Sequence, residues 1–173
     1  MIPNLLSGFR LLLIPFILLA LSQGLKVQAL GLILLSVATD LVDGWVARRF
    51  GQITDLGKIL DPLGDKLSTG ALSLYLAWVG KLPWWIAGVV VGKDLAILFA
   101  GLAVLGRKHE IPVSDRWGKV AVLVSGALII ACAMDWKILV EPLIILTLIT
   151  VAISVISYTR KYIKPRNLLK EGQ

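Results

Sequence analysis

Long apolar runs, separated by short polar segments, dominate the chain. Residues 11–25 and 143–158 carry no charge at all, and similar runs lie between them. A helix needs about 20 apolar residues to cross the hydrocarbon core of a bilayer. Glycine, proline and charged residues mark the ends of six segments of about this length. The predicted helices cover about residues 3–23, 27–48, 56–79, 84–105, 117–134 and 139–158, followed by a basic tail over 159–173.

The composition strengthens this prediction. Hydrophobic residues make up 57% of the chain and charged residues 17%, whereas soluble domains are about 45–50% apolar. We therefore expect an all-α integral membrane protein in which residues 1–173 form a single membrane domain with six transmembrane helices. The net charge of +7 does not indicate a nucleic-acid partner, because the cations cluster at helix ends. There they are typical of topology signals and of contacts with anionic lipid or phosphate.

The distribution of these cations predicts the orientation of the helices. Six spans place the N-terminus, the loops at 49–58 and 106–119 and the C-terminus on one side. Fourteen of the 18 lysines and arginines fall on that side, against Lys26, Lys81 and Lys137 on the other, with Lys93 inside the fourth helix. Because cytoplasmic segments carry the excess of lysine and arginine, we expect that side to be cytoplasmic. The expected location is the inner (cytoplasmic) membrane.

Four aspartates lie at the predicted cytoplasmic ends of the second and third helices. Asp40 and Asp43 are three residues apart, and Asp61 and Asp65 are four apart. Both spacings place two side chains on one face of a helix. Carboxylates in such apolar surroundings are costly and generally functional, although a single one could be an ordinary helix-end charge. We expect the four to face a polar cavity that opens to the cytoplasm.

The types of residue in this stretch indicate a metal site. Four carboxylates, in a chain with one histidine and one cysteine, suit a hard cation such as Mg²⁺ or Mn²⁺. Two such ions close together would suit an in-line displacement at phosphorus. Gly44 and Gly57 would let a substrate approach the helix backbone, and small Ala47 would keep the groove open. Arg48, four residues past Gly44, can reach a phosphate.

These residues form a pattern known from one family. The sequence Asp40-x2-Asp43-Gly44-x2-Ala47-Arg48-x8-Gly57-x3-Asp61-x3-Asp65 resembles the signature of the CDP-alcohol phosphotransferases (CDP-alcohol phosphatidyltransferases), with every position occupied. The six-span layout is similar to the catalytic domain of that family. The opening PNLLSGFRLLLIP and the segment DPLGDK resemble its phosphatidylglycerophosphate synthase branch.

The resemblance implies a mechanism and a role for each signature residue. Two divalent ions would be held by Asp40, Asp43, Asp61 and Asp65. These ions and Arg48 would bind the diphosphate of CDP-diacylglycerol, and the nucleotide pocket would be lined by Gly44, Ala47 and Gly57. Asp65 would be the general base that takes the proton from the acceptor alcohol, after which CMP leaves. A homodimer is compatible with the resemblance.

The acceptor is specified less directly. In the synthase branch it would be glycerol 3-phosphate, whose phosphate needs cations beside the metal site. An intramembrane lysine needs a partner or a ligand, so Lys93 is the first candidate. Further candidates, in order, are Lys119, Arg116 and Arg107. One departure matters here. That branch would be expected to have an arginine followed by an acid, whereas this chain has Lys93–Asp94, and lysine lacks the bidentate fork of arginine.

Several alternatives remain open from the sequence. Lys93 and Asp94 could simply pair with each other. The same chemistry could use phosphatidylglycerol (giving cardiolipin), inositol phosphate or serine as acceptor. A cation or proton transporter built on membrane carboxylates is a different class of protein. Transporters generally place such carboxylates near the bilayer midplane and contain inverted repeats, whereas here the carboxylates lie toward one face and no repeat is visible.

Overall fold

The chain is all-helical in every part that the structure describes. A computed structural model describes the backbone of residues 2–50, 57–105 and 116–163, together with the side chains of residues 8–39, 64, 66–96 and 117–157. Within these ranges it contains six helices: α1 (Ile2–Ser22), α2 (Lys26–Phe50), α3 (Gly57–Trp78), α4 (Trp84–Leu105), α5 (Arg116–Ala133) and α6 (Lys137–Ile163). The predicted helices agree with these bounds to within a few residues.

Two helix ends refine the sequence prediction. α3 begins at Gly57 and continues through Pro62, so it does not restart at the second aspartate pair. α6 extends to Ile163, so its helical backbone continues into the first residues of the predicted basic tail over 159–173.

Three turns with the same backbone geometry join the helices in pairs. Each turn contains a residue with positive φ: Gly24 (73°), Gly80 (74°) and Asp135 (59°). The next residue in each turn donates its N–H to the carbonyl five positions back, from Leu25 to Ala20 (2.9 Å), from Lys81 to Leu76 (2.8 Å) and from Trp136 to Ala131 (2.9 Å). This bond and the left-handed residue define a Schellman motif. The chain therefore folds as three helical hairpins, α1–α2, α3–α4 and α5–α6.

The three turns meet at one end of the bundle. The carboxylate of Asp135 lies 2.5 Å from Nζ of Lys26 and 2.8 Å from Nζ of Lys81, so one residue contacts both of the other turns. We call this the turn end. The opposite end holds the last turns of α2 and the first turns of α3, which carry the four aspartates, and we call it the aspartate end.

Among the described side chains, the apolar core lies toward the turn end. α5 packs against α6, α3 packs against α4, and α1 packs against both α2 and α3. The core residues on α1, α3, α4 and α5 come mainly from the halves of these helices nearest the turns, and they include Ile17, Leu76, Leu82, Ile86, Leu128 and Cys132.

The outer surface of the bundle is strongly apolar. In the described part of the chain, one helix is long and apolar enough by length and composition to cross a membrane, at Lys137–Ser157 with a mean hydropathy of 2.5. Three shorter apolar helices cover Gly8–Ser22, Lys26–Thr39 and Trp117–Ala133. Large apolar side chains such as Val27 and Ile138 project outward, 83% and 91% exposed. Apolar surface on this scale is typical of a protein that contacts lipid or a partner.

Candidate active site

The signature residues lie on the last turns of α2 and the first turns of α3, two consecutive helices. Asp40 and Asp43 are on α2, and Asp61 and Asp65 are on α3. The backbone is helical at all four positions, which is the condition for each pair to share a helix face. Gly44, Ala47 and Arg48 also lie on α2, and Gly57 is the first residue of α3. The side chains of these signature residues lie outside the described ones, so their roles stay predictions.

The donor set of these two helices fits a divalent cation of the magnesium type. Four carboxylates supply only hard oxygen ligands, and α1 packs against both helices that carry them, which favours a fixed arrangement. Among the side chains that the structure describes, no group of three or more histidine, cysteine, aspartate or glutamate residues could hold a metal. The four aspartates fall outside that set and remain the predicted site.

Open space lies beside α3 next to the second aspartate pair. Gly64 is buried, yet a Cβ atom built on it would meet no heavy atom within 4 Å. Its carbonyl accepts a hydrogen bond from the Ser68 hydroxyl at 2.9 Å. The Cβ position of Gly64 therefore borders open space, and Asp65 is the next residue along the helix.

Lys93 and Asp94 form a buried ion pair. Nζ of Lys93 lies 2.7 Å from Oδ1 of Asp94, and the two side chains are 3% and 11% exposed. Of the two alternatives that the sequence left open for Lys93, the structure shows the paired one. A contact between Lys93 and an acceptor phosphate would have to share or replace this pair, because a buried ammonium needs a compensating charge.

Lys66 joins the same group from α3. Its ammonium donates a hydrogen bond to the backbone carbonyl of Asp94 at 2.9 Å. Lys66 follows Asp65 directly in the sequence, so this bond connects the end of the signature to the middle of α4. The sequence predicted no role for Lys66 beyond orientation. The available signal was its place at the end of the segment DPLGDK, directly after the last signature aspartate.

The other acceptor candidates are arranged differently. Lys119 lies in the first turns of α5 with an exposed side chain, and Arg116 is the first residue of that helix. The side chain of Arg116 and the whole of Arg107 lie outside the described residues. The described part of the structure therefore brings together Lys66, Lys93 and Asp94, and it leaves the other acceptor contacts as predictions.

Arg10 is a buried cation whose position the sequence did not specify. It lies on α1 and is only 2% exposed, although the charge pattern indicated an orientation signal. Arginine is almost never fully buried without polar surroundings. α1 packs against both α2 and α3. A lone cation inside the first apolar run was the signal for it.

Comparison with known proteins connects this arrangement to one family. The family model described as CDP-alcohol phosphatidyltransferase matches residues 1–157. A "CDP-diacylglycerol--glycerol-3-phosphate 3-phosphatidyltransferase" from Aquifex aeolicus is 33% identical over 172 residues, which cover 94% of this chain and 96% of that protein.

Two further relatives match over shorter regions. A "Probable phosphatidylglycerophosphate synthase" from Mycobacterium tuberculosis is 35% identical over 121 residues, 66% of this chain and 56% of that protein. A "Probable cardiolipin synthase (CMP-forming)" from Drosophila melanogaster is 38% identical over 104 residues, 60% of this chain and 32% of that protein. The match thus spans about half of the mycobacterial relative and a third of the fly relative.

The matched region contains every signature residue, from Asp40 to Asp65. It also contains all of α1 to α5 and most of α6. The resemblance noted in the sequence is thereby confirmed: the chain belongs to the CDP-alcohol phosphatidyltransferase family.

Proposed function

We propose that the protein transfers a phosphatidyl group from CDP-diacylglycerol to glycerol 3-phosphate and releases CMP, a step of phospholipid synthesis. The observation that carries the proposal is the complete signature on the helical backbone of α2 and α3. The printed name of the Aquifex relative, whose length the match covers almost fully, names the same donor and acceptor.

The chain's own residues account for the steps of this reaction. Asp65 accepts the proton of the acceptor hydroxyl, and the acceptor oxygen forms a bond to the lipid-side phosphorus. The bond from that phosphorus to the bridging oxygen breaks, and CMP leaves with the electron pair. Arg48 binds the diphosphate of the donor. The nucleotide is accommodated where Gly44, Ala47 and Gly57 leave room on the two helices.

Divalent metal ions complete the proposed site. Asp40, Asp43, Asp61 and Asp65 would hold two ions, either Mg²⁺ or Mn²⁺, which would supply positive charge beside the diphosphate. The all-carboxylate donor set supports this choice over softer metals. Removal of divalent metal with a chelator should therefore abolish turnover, and addition of Mg²⁺ or Mn²⁺ should restore it.

We place the acceptor phosphate near Lys93, Lys119, Arg116 and Arg107. Lys93 is a buried cation on α4 beside the carbonyl that binds Lys66, and Lys119 and Arg116 begin α5. Binding at Lys93 would require the phosphate to compete with Asp94. If Lys93 does contact the phosphate, a Lys93→Ala variant should raise KM for glycerol 3-phosphate. An unchanged KM would remove Lys93 from this part of the site.

We further propose that all six helices cross the inner membrane and that the aspartate end faces the cytoplasm. Two observations support this arrangement. The helices are 18 to 27 residues long, which corresponds to about 27–40 Å at 1.5 Å per residue. The lysines and arginines are concentrated on the side of the aspartate end. The void beside Gly64 supports a polar cavity at that end.

A second candidate is the same reaction with phosphatidylglycerol as the acceptor. Two relatives carry names of that activity, the fly "Probable cardiolipin synthase (CMP-forming)" and a fission-yeast fusion protein that is 35% identical over 99 residues. The pairing of Lys93 with Asp94 favours this alternative slightly. A cation already matched by a carboxylate is less available to the phosphate of a small acceptor.

One assay separates these candidates. Purified protein in detergent is supplied with CDP-diacylglycerol, Mg²⁺ or Mn²⁺, and one acceptor at a time, and CMP release is measured. We expect release with glycerol 3-phosphate, whereas release only with phosphatidylglycerol would select the second candidate. Absence of CMP with every acceptor, including inositol phosphate and serine, would contradict the proposed enzyme.

A further inference from the structure

We propose that Lys66 is a positioning residue that fixes the Asp65 turn of α3 against α4. This inference rests on the proposed function, in which Asp65 is both metal ligand and base. The observation that carries it is the 2.9 Å hydrogen bond from the Lys66 ammonium to the main-chain carbonyl of Asp94. No signature position accounts for this contact.

The acceptor carbonyl is itself held in place. Asp94 lies within α4, and its side chain is bound to Lys93 in the buried pair at 2.7 Å. A carbonyl oxygen has two lone pairs, so it can accept the ammonium of Lys66 in addition to its helical N–H. Charged donors form the stronger hydrogen bonds. Lys66 therefore binds a point on α4 that has little freedom to move.

The contact between Lys66 and Asp94 extends the packing interface of α3 and α4 toward the aspartate end. Gly70 lies four residues beyond Lys66, and a Cβ built on it would lie 3.8 Å from Cγ2 of Val91. Val91 and Asp94 are three residues apart on α4. Positions at these spacings share a helix face. Gly70 and Val91 thus mark close packing of the two helices, and Lys66 and Asp94 continue it one turn further.

The next turn of α3 holds Gly64 and Asp65. A Cβ atom added at Gly64 would enter open space beside the buried backbone. Asp65 lies between this space and Lys66, and consecutive residues are only about 1.5 Å apart along a helix axis. Holding Lys66 therefore restricts the position of Asp65. An error of about 1 Å in a catalytic group can lower a rate a hundredfold.

The test compares three full-length variants in detergent. Lys66→Met removes the donor and keeps the aliphatic stem. Lys66→Arg keeps a cationic donor. Lys81→Met is the matched control, because Lys81 also joins two parts of the bundle but lies at the turn end. For each variant we would measure kcat and KM in the CMP assay, the melting temperature, and the Kd for Mn²⁺ by electron paramagnetic resonance without substrates.

We expect Lys66→Met to lower kcat by about tenfold to a hundredfold with little change in either KM. We also expect it to raise the Kd for Mn²⁺ by about tenfold, as loss of an outer-shell partner commonly does. Lys66→Arg should restore most of the kcat and most of the affinity for Mn²⁺. Lys81→Met should change only the melting temperature.

Three results would overturn the inference. A Lys66→Met variant with normal kcat and normal Mn²⁺ binding would reduce Lys66 to a stabilising contact. A higher KM for glycerol 3-phosphate at normal kcat would instead place Lys66 in contact with the acceptor. An equal loss of kcat in Lys81→Met would show a general loosening of the bundle. Inactivity of the unaltered protein would contradict the proposed function alone, because the Mn²⁺ measurement still tests the role of Lys66.

Discussion

Nζ of Lys81 lies 2.8 Å from Oδ1 and 3.0 Å from Oδ2 of Asp135, so one ammonium bridges both oxygens of one carboxylate. Lys26 binds the same carboxylate from the first hairpin. Asp135 holds a left-handed backbone, with φ of 59°, where the two equivalent turns have glycine. Aspartate tolerates this conformation better than most residues. We infer that its side chain offsets the conformational cost by joining the three turns.

Replacement of Asp135 by asparagine should lower the stability of the bundle. Asparagine also tolerates the left-handed conformation, so the substitution mainly removes the charge. Two partly exposed ion pairs are worth about 1 kcal/mol together, and salt should reduce the difference. The measurement is the free energy of unfolding in mixed micelles, for both proteins at low and high salt. An equally stable Asp135→Asn variant at low salt would show that the cluster contributes nothing.

The same pair of proteins should reveal a dependence on pH. The hydrogen bond from Lys26, and then that from Lys81, hold the pKa of Asp135 below its usual value of 3.8. A depressed pKa stabilises the folded state above the unfolded-state pKa, and this contribution declines as the pH falls toward the folded-state pKa. The stability difference between the native protein and Asp135→Asn should be equal at pH 7 and pH 5.5 and smaller at pH 3. A difference that grows on acidification would contradict this assignment.

Removal of one partner from the Lys93–Asp94 pair should be far more disruptive. Asp94→Asn would leave a buried ammonium without its carboxylate, at a cost of about 3–5 kcal/mol. The double variant Lys93→Met/Asp94→Leu removes both charges and should recover most of that loss, since apolar replacements of buried pairs are often neutral. Thermal unfolding in detergent would compare the three proteins. Similar stability of Asp94→Asn and the native protein would indicate that water reaches Lys93.

Asp65→Asn should abolish turnover and leave binding of CDP-diacylglycerol largely intact. The amide keeps the size of the side chain but cannot accept the acceptor's proton as a carboxylate does. CMP release reports turnover, and calorimetry with a non-reactive CDP-lipid analogue reports binding. Asp55→Asn is the matched control, because Asp55 lies outside the signature, and its turnover should stay near normal. If Asp65→Asn loses binding as well, Asp65 acts chiefly as a metal ligand.

The proposed orientation predicts opposite labelling at the two ends of the bundle. Cys132 is buried, so a Cys132→Ala background supports single introduced cysteines. Gln23→Cys, in the turn between α1 and α2, should react with a membrane-impermeant maleimide added to intact cells. Gln52→Cys, between the two aspartate pairs, should react only after the membrane is opened. The reverse pattern would invert the proposed topology.

The helices could be predicted from the sequence because local signals mark their ends. Gly24 and Gly80 end helices through a backbone conformation that only a few residues adopt readily, and the apolar runs between such points set the helix lengths. The spacing of the four aspartates was equally local, so the family was recognisable from residues 40–65 alone.

The contacts between distant segments were not predictable in this way. Lys26, Lys81 and Asp135 belong to three different turns. The pattern of apolar and polar residues along the chain does not predict which turns come together. The pairing of Lys66 with the carbonyl of Asp94 depends on how α3 and α4 align, which is a property of packing. For Lys93, the sequence showed that a buried cation needs a partner, and the structure was required to identify Asp94.

The cluster of Lys26, Lys81 and Asp135 also bears on lipid asymmetry. In the proposed orientation the reaction takes place at the aspartate end, opposite the joined turns, and the donor and product lipids would both lie in the leaflet on that side. The opposite headgroup layer lies about 30 Å away across hydrocarbon, and a charged headgroup crosses that distance at great cost. Each turnover exchanges one headgroup for another, so the protein would change the composition of one leaflet only, and a separate lipid-translocating protein would be needed to carry the product to the other.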